Sequence, residues 1–417
     1  MKVEIARYAL DRIPLSLIVD DSTVLVNANY FWMRDRNLVD GLGRRWEDVP
    51  VVHPESFTRE WAEWCLENGV RGKFSIIPCP AALGRIDEGL SLFSRQQTDS
   101  WLEMCRELIV PNWDITPEMI THSYVVDPDT CQPLPSRIWE QYDWQRLPDD
   151  EELLFRYFAT ACRILINVGL MPQGVTSPGG FGGQSLDAYA RIAGAAVRAE
   201  TGKATPYFFQ RGSEDTPVDT VVWHPDADLG QATGEIQYAT DDWTGNWTGY
   251  GVSSADKYIT EDLAGGRLPQ VINAGDPAVM CSHWQGFYGM HDGDRRGFHT
   301  LKTVVNRLKL RDPTGEATRW RTCSQITDYA CARNMATVAN KGREVNLELP
   351  LRVPELTLRI DSGNVSGISV SDGPLKQVTE KRYFESGTFW RKGDTTLAAF
   401  NPSSRTETVT IESTDLP

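Results

Sequence analysis

A chain of 417 residues, 41% hydrophobic and 24% charged, is long enough for about two packed domains. Its 57 acidic against 42 basic residues give a net charge of −15, which argues against nucleic acid or an anionic membrane surface as the main partner. Met1-Lys-Val-Glu-Ile leads into charges rather than an apolar signal core, and no run reaches the ~20 apolar residues of a membrane span. The expected location is therefore the cytoplasm, although a chain whose leader had been removed would read the same.

The first predicted strand is Leu15-Ser-Leu-Ile-Val-Asp20-Asp21, a continuous run of the kind buried on both faces of a parallel sheet. An aromatic loop with a cation, Arg34, follows it. Helical periodicity then runs from Glu55 to a C-cap at Asn68-Gly69, ahead of a second buried strand at Gly72–Pro78. A helix near 96–108 precedes a third strand, Glu118–Ser123. The long amphipathic helix Asp149–Val168 opens on four acids at its positive dipole end. Gly174–Gly179 reads as a fourth strand and Ser185–Thr201 as its helix, with strands at Ala204–Phe209, Val218–Trp223 and Ala278–His283 after it. Strands alternating with helices of this length predict a seven-stranded parallel α/β barrel, complete or incomplete, over 1–312.

From 313 to 417 the texture changes. One helix, Ser324–Met335, gives way to short alternating segments at Val345–Leu349, Leu356–Ile360, Gly367–Ser371 and Thr395–Phe400, separated by turn signals. That pattern predicts a small antiparallel β-sandwich domain. None of the eight cysteines forms a C-x-x-C pair, and several sit in helical patterns, so reduced buried thiols are expected.

In a parallel barrel all strand C-termini lie on one face, so Asp20, Asp21, His122 and His283, each ending a predicted strand, can converge there. Carboxylates with histidines suit general acid–base catalysis or a divalent metal. A strand-end histidine is equally capable of being a hydrogen-bonded structural residue. The loop Trp243-Thr-Gly-Asn-Trp247-Thr-Gly-Tyr250 suits stacking on sugar rings. Trp284, Gln285, His291 and Asp294 follow the last strand in the same loop layer. Gly179-Gly-Phe-Gly-Gly183 lacks the Gly-Lys-Ser/Thr ending of a phosphate loop, and no nucleotide cofactor is expected.

In order, the chain carries Ile18-Val-Asp20-Asp21-Ser22, Thr121-His122-Ser123-Tyr124, Ser177-Pro178-Gly179, Asp241-Asp242-Trp243 and Ser282-His283-Trp284. That order resembles the NodB-type polysaccharide deacetylases of the glycoside hydrolase/deacetylase superfamily. The resemblance implies a carbohydrate substrate, a zinc-type divalent ion, Asp20 as base, Asp21 and His122 as ligands, and His283 as acid. The family's second metal histidine corresponds to Val126, with Asp127 as the neighbouring substitute, and its groove arginine to Ser177. The expected function is a carbohydrate-active hydrolase, deacetylase-like and metal-assisted. The alternatives are a glycosidase pairing Asp20 or Asp21 with Asp242 or Asp294, a glycan-binding protein without catalysis, and a sugar isomerase or epimerase.

Overall fold

The computed structural model describes residues 2–38, 45–212, 218–289 and 293–413. Ten strands place the site: β1 (Val3–Ile5), β2 (Ile13–Asp20), β3 (Gly72–Ile76), β4 (Trp113–Pro117), β5 (Gly174–Thr176), β6 (Tyr207–Gly212), β7 (Val221–Asp226), β8 (Gln231–Tyr238), β9 (Ala278–His283) and β10 (Thr318–Trp320). One sheet runs β10-β2-β3-β4 with β9 on the other side of β2, all parallel. A second sheet runs β5-β6-β8-β7, in which only β7 is antiparallel. The two sheets are joined at both ends. Parallel bridges Ile115–Pro172 and Glu118–Thr176 link β4 to β5, and the Ala239 N–H donates to Val279 O at 2.7 Å beside β9.

Every residue of β3, β4 and β5 is buried, as a strand covered on both faces requires. The helices cover these strands. Glu151–Asn167 starts where the Asp150 carboxylate accepts the Leu153 N–H, with Glu151 and Glu152 at the positive end of the dipole. Leu186–Thr201 stops at Gly202, whose φ of 74° no β-carbon hinders. All eight cysteines are free and buried.

Two expected strands move. The third is Trp113–Pro117, five residues before the predicted one, so Glu118–Ser123 is the loop beyond its end. The predicted Val218–Trp223 segment starts at Val221 as β7, an antiparallel hairpin partner of β8. β8, which was not expected, stands among the parallel strands where the Val218–Trp223 segment was placed. Its run is broken by Gly234 and Glu235, but Glu235 is fully buried and accepts from Arg211 Nε at 2.6 Å and Trp223 Nε1 at 3.0 Å.

After the helix Cys323–Met335 come two five-stranded sheets whose facing residues, among them Val345, Leu347, Leu358, Phe400, Val409 and Ile411, share one apolar core. Pairings cross the boundary expected at 312. β1 pairs antiparallel with Leu356–Ile360, and β10 pairs with β2.

His53 packs against Trp284 and Tyr288, 3% exposed, and burial pushes its imidazole down to about 3. Between about pH 6.5 and 3 the unfolded chain therefore binds a proton that the folded chain does not, so stability falls as pH falls through that window. Between pH 7 and pH 5, denaturant unfolding should show the parent losing about 2 kcal/mol relative to His53→Gln. An equal loss in the variant would reassign the acid sensitivity to other groups.

Candidate active site

Beyond the C-terminal ends of β2, β4, β6, β8 and β9 lies a pocket of about 410 Å3. Asp20 and Asp21 enter it from the end of β2. They separate because Asp21 takes φ +62°, a left-handed conformation that costs a non-glycine residue about 1 kcal/mol or more. Asp20 forms an ion pair with Lys73, the second residue of β3, a side chain with no solvent exposure. The Lys73 ammonium also donates to Thr176 Oγ1 at 2.7 Å and lies 4.7 Å from the Phe209 ring centre. Burial lifts the Asp20 carboxyl to about 7 despite the pull of Lys73.

Asp21 faces His122, whose Nε2 stands 2.8 Å from Asp21 Oδ1 and 3.4 Å from Glu118 Oε1. The second oxygen of each acid is anchored. Asp21 Oδ2 accepts from Gln285 Nε2 at 3.1 Å, while Glu118 Oε2 accepts the Asp21 N–H at 2.7 Å and Ser75 Oγ at 2.5 Å. Burial alone would raise the Asp21 carboxyl. His122, His283 and Gln285 outweigh it and hold the group well below the usual carboxylate range. Burial likewise opposes charge on His122, but Asp21 and Glu118 raise its imidazole well above the ordinary value.

His122 sits at φ +55° in a loop held from below by Glu140. That buried carboxylate accepts the backbone N–H groups of Ile120, Thr121 and His122 at 3.2, 3.1 and 2.7 Å, and the Tyr157 hydroxyl. Across the pocket, His283 Nδ1 lies 2.8 Å from Asp242 Oδ2, which also accepts the His283 N–H at 3.1 Å. Asp242 is fixed in turn through Oδ1, which accepts the Thr244 N–H and hydroxyl at 2.8 and 2.6 Å. Burial opposes charge on His283, yet Asp242, Asp21 and Asp20 lift its pKa to about 9.

Asp20, Asp21, His122, Asp242, His283 and Trp247 are thus brought together at one pocket, with Gln285 behind Asp21. Asp127 is not there. It closes a turn by accepting the N–H groups of Asp129 and Thr130 at 2.9 and 3.0 Å, and it faces solvent. Asp294 pairs with Arg296 at 2.7 Å, outside the pocket lining. Arg34 pairs with Asp35 and stacks on Phe31. Trp243 packs edge-on against Tyr258. Trp284 is 2% exposed, in a core cluster with Phe57, Trp61 and Phe74, so it is a packing residue. His291 lies outside the described residues.

The aromatic wall is Trp32, Tyr142 and Trp247, with Trp32 and Trp247 edge to face at 4.8 Å. Arg36, not Arg34, is stacked there, 4.0 Å from the Tyr142 ring centre. Sequence reasoning missed Lys73 and Glu118. A lysine inside an otherwise apolar strand was the available signal for the first, because a buried ammonium requires a partner.

Asp21, Glu118 and His122 offer ligand atoms within 4.8 Å of one another. Two carboxylates and an imidazole are a fitting donor set for a divalent ion, and each acid has one oxygen fixed by other partners while the other faces His122 Nε2. His122 Nδ1, buried without a partner, lacks the usual anchor, so this ligand is positioned through its backbone and Glu140.

No known family profile matches the chain, and no curated protein matches its sequence. Solved structures that align with it include the catalytic domain of GH30 xylanase C from Talaromyces cellulolyticus, 8% identical with a TM-score of 0.31 over 98% of this chain and 99% of that one. The glycoside hydrolase family 30 subfamily 8 xylanase Xyn30A from Clostridium acetobutylicum aligns over 85% of this chain and 92% of its own, at 8% identity and a TM-score of 0.34. Likeness of that size carries no argument about chemistry, which rests on the site itself.

Proposed function

We propose that the protein is a carbohydrate-active hydrolase that removes an acyl group from a sugar, on a seven-stranded α/β barrel followed by a small β-sandwich. The observation that carries the reading is the placement of two functional groups in one pocket: Asp20 beside the Asp21–Glu118–His122 cluster, and the His283–Asp242 pair. A divalent ion held by Asp21, Glu118 and His122 would polarise the acyl carbonyl and acidify a water.

Asp20 accepts the proton of the attacking water, and Lys73 keeps that carboxylate oriented. His283 carries the proton for the departing sugar oxygen or nitrogen. Asp242 holds Nδ1, which leaves Nε2 as the donating atom. Trp32, Tyr142 and Trp247 provide flat faces for the sugar ring.

Elemental analysis of purified protein tests the reading, with release of acetate from acetylated oligosaccharides as the activity. About one divalent ion per chain is expected, with affinity lowered about 10- to 100-fold or more in Glu118→Gln and His122→Ala. Folded, active protein with no metal dependence would sink the acyl-hydrolase reading. It would favour the second one, a glycoside hydrolase in which Asp20, with its pKa near 7, serves as general acid.

A further inference from the structure

At the other end of β2 from Asp20 there is a second cavity, of about 80 Å3, lined by Arg7, Arg12, Arg321 and Arg333 and bordered by Val353 and Glu355. Its walls come from the foot of β2, the helix Cys323–Met335 and the segment before Leu356–Ile360. Among its cations, two are matched by acids. Arg7 pairs with Asp219 at 3.2 Å and Asp276 at 3.0 Å, and Arg321 pairs with Glu355 at 2.5 Å. Asp328, also on the wall, is already neutralised by Lys203 at 3.0 Å and bonded to Thr205 Oγ1 at 2.5 Å.

Two cations are not matched. Arg12 is 4% exposed; its Nη2 donates to Lys381 O at 2.8 Å, and its Nε is buried without a partner. Among the described residues neither Arg12 nor Arg333 has a carboxylate within ion-pair distance. A buried guanidinium with an unused N–H carries a desolvation cost that a bound anion removes. The planar fork of arginine matches the oxygens of phosphoryl and carboxylate groups alike.

We propose that this cavity is a binding site for a small oxyanion, a phosphoryl or carboxylate group, held by Arg12 and Arg333 with Arg321 beside them. The apolar residues of the wall, Val353, Pro354 and Ile326 among them, suit a short carbon body on that group. Because three parts of the chain meet here, the bound ion ties them together and raises the melting temperature.

The test uses the full chain, with inorganic phosphate and acetate as probes, titrated by calorimetry and thermal melting at constant ionic strength set with sodium chloride. Saturable binding of at least one probe is expected, and the tighter of the two identifies the head group. Arg333→Gln, which breaks no side-chain hydrogen bond or ion pair among the described residues and should fold normally, is expected to weaken that binding about tenfold. Arg12→Met should abolish it where the variant folds. Absence of saturable binding by both probes, or binding unchanged in Arg333→Gln, overturns the proposal.

Discussion

Replacing Lys73 by Met is expected to destabilise the protein by about 3–5 kcal/mol, because it leaves the buried Asp20 carboxylate without its counter-ion. The ammonium has no solvent exposure, and it is also lost to Thr176 Oγ1 and the Phe209 ring. Asp20, whose pKa already stands near 7, would respond by holding a proton in the folded state. The parent gives up that proton near pH 7 whereas the variant holds it to higher pH, so the variant's deficit relative to the parent grows as pH rises past neutrality. Asp20→Asn alone should also be costly, since it strands the ammonium. The double variant Lys73→Met with Asp20→Asn removes both charges and should recover much of the loss. Guanidinium unfolding of the four proteins at pH 5 and pH 8 measures the cycle. A double variant no more stable than either single one would mean that Lys73 contributes packing rather than charge. Both single variants are expected to lose about 100- to 10,000-fold in hydrolysis, the usual contribution of a general base.

Asp242→Asn is expected to shift the alkaline limb of the activity profile to lower pH. Burial opposes protonation of His283, and the Asp242 hydrogen bond leads the interactions that lift it to about 9. With an amide in place of the carboxylate, the imidazole should lose its proton about 1–2 pH units earlier. Activity at pH 8 should then fall more than activity at pH 6, a difference that a merely loosened pocket would not produce. The stability linkage has the same sign. A folded pKa raised above the unfolded 6.5 contributes stability present below pH 6.5 and lost as pH rises through about 9. A rate–pH profile of the parent and variant is sufficient. An alkaline limb that stays in place would remove His283 from the role of proton donor.

The sequence was most legible where one physical rule acted alone. β2 and β9 are continuous apolar runs, and the helices follow the 3.6-residue period because their cores lie on one side only. β8 was hidden because Gly234 and Glu235 interrupt it, and the cost of burying Glu235 is met by Arg211 and Trp223 from neighbouring segments. β4 was misplaced for a similar reason. Its Asp114 is 6% exposed and satisfied by Ser324, whose N–H and hydroxyl donate at 2.5 and 2.7 Å from 210 residues away. The same limit governed the site. Asp20, Asp21 and His283 end recognisable strands, whereas Glu118 becomes visible as a partner of His122 only when the loop after β4 is known. Nor can spacing separate Trp247, at the pocket, from Trp243 and Trp284, which pack elsewhere. The loop that carries each aromatic ring decides its surroundings.

The exchange of end strands between the two parts of the molecule bears on how the chain can be made. β1 waits for Leu356–Ile360, and the edge of β2 waits for β10 at Thr318–Trp320. Both partners leave the ribosome more than 300 residues after the strands they complete. At about 5–20 residues per second that is a delay of about 15 to 60 seconds. During it, the β2 edge and the apolar side of β1 remain open to other chains. The first strands to be synthesised are therefore among the last to be closed, and holding them apart is work for a chaperone.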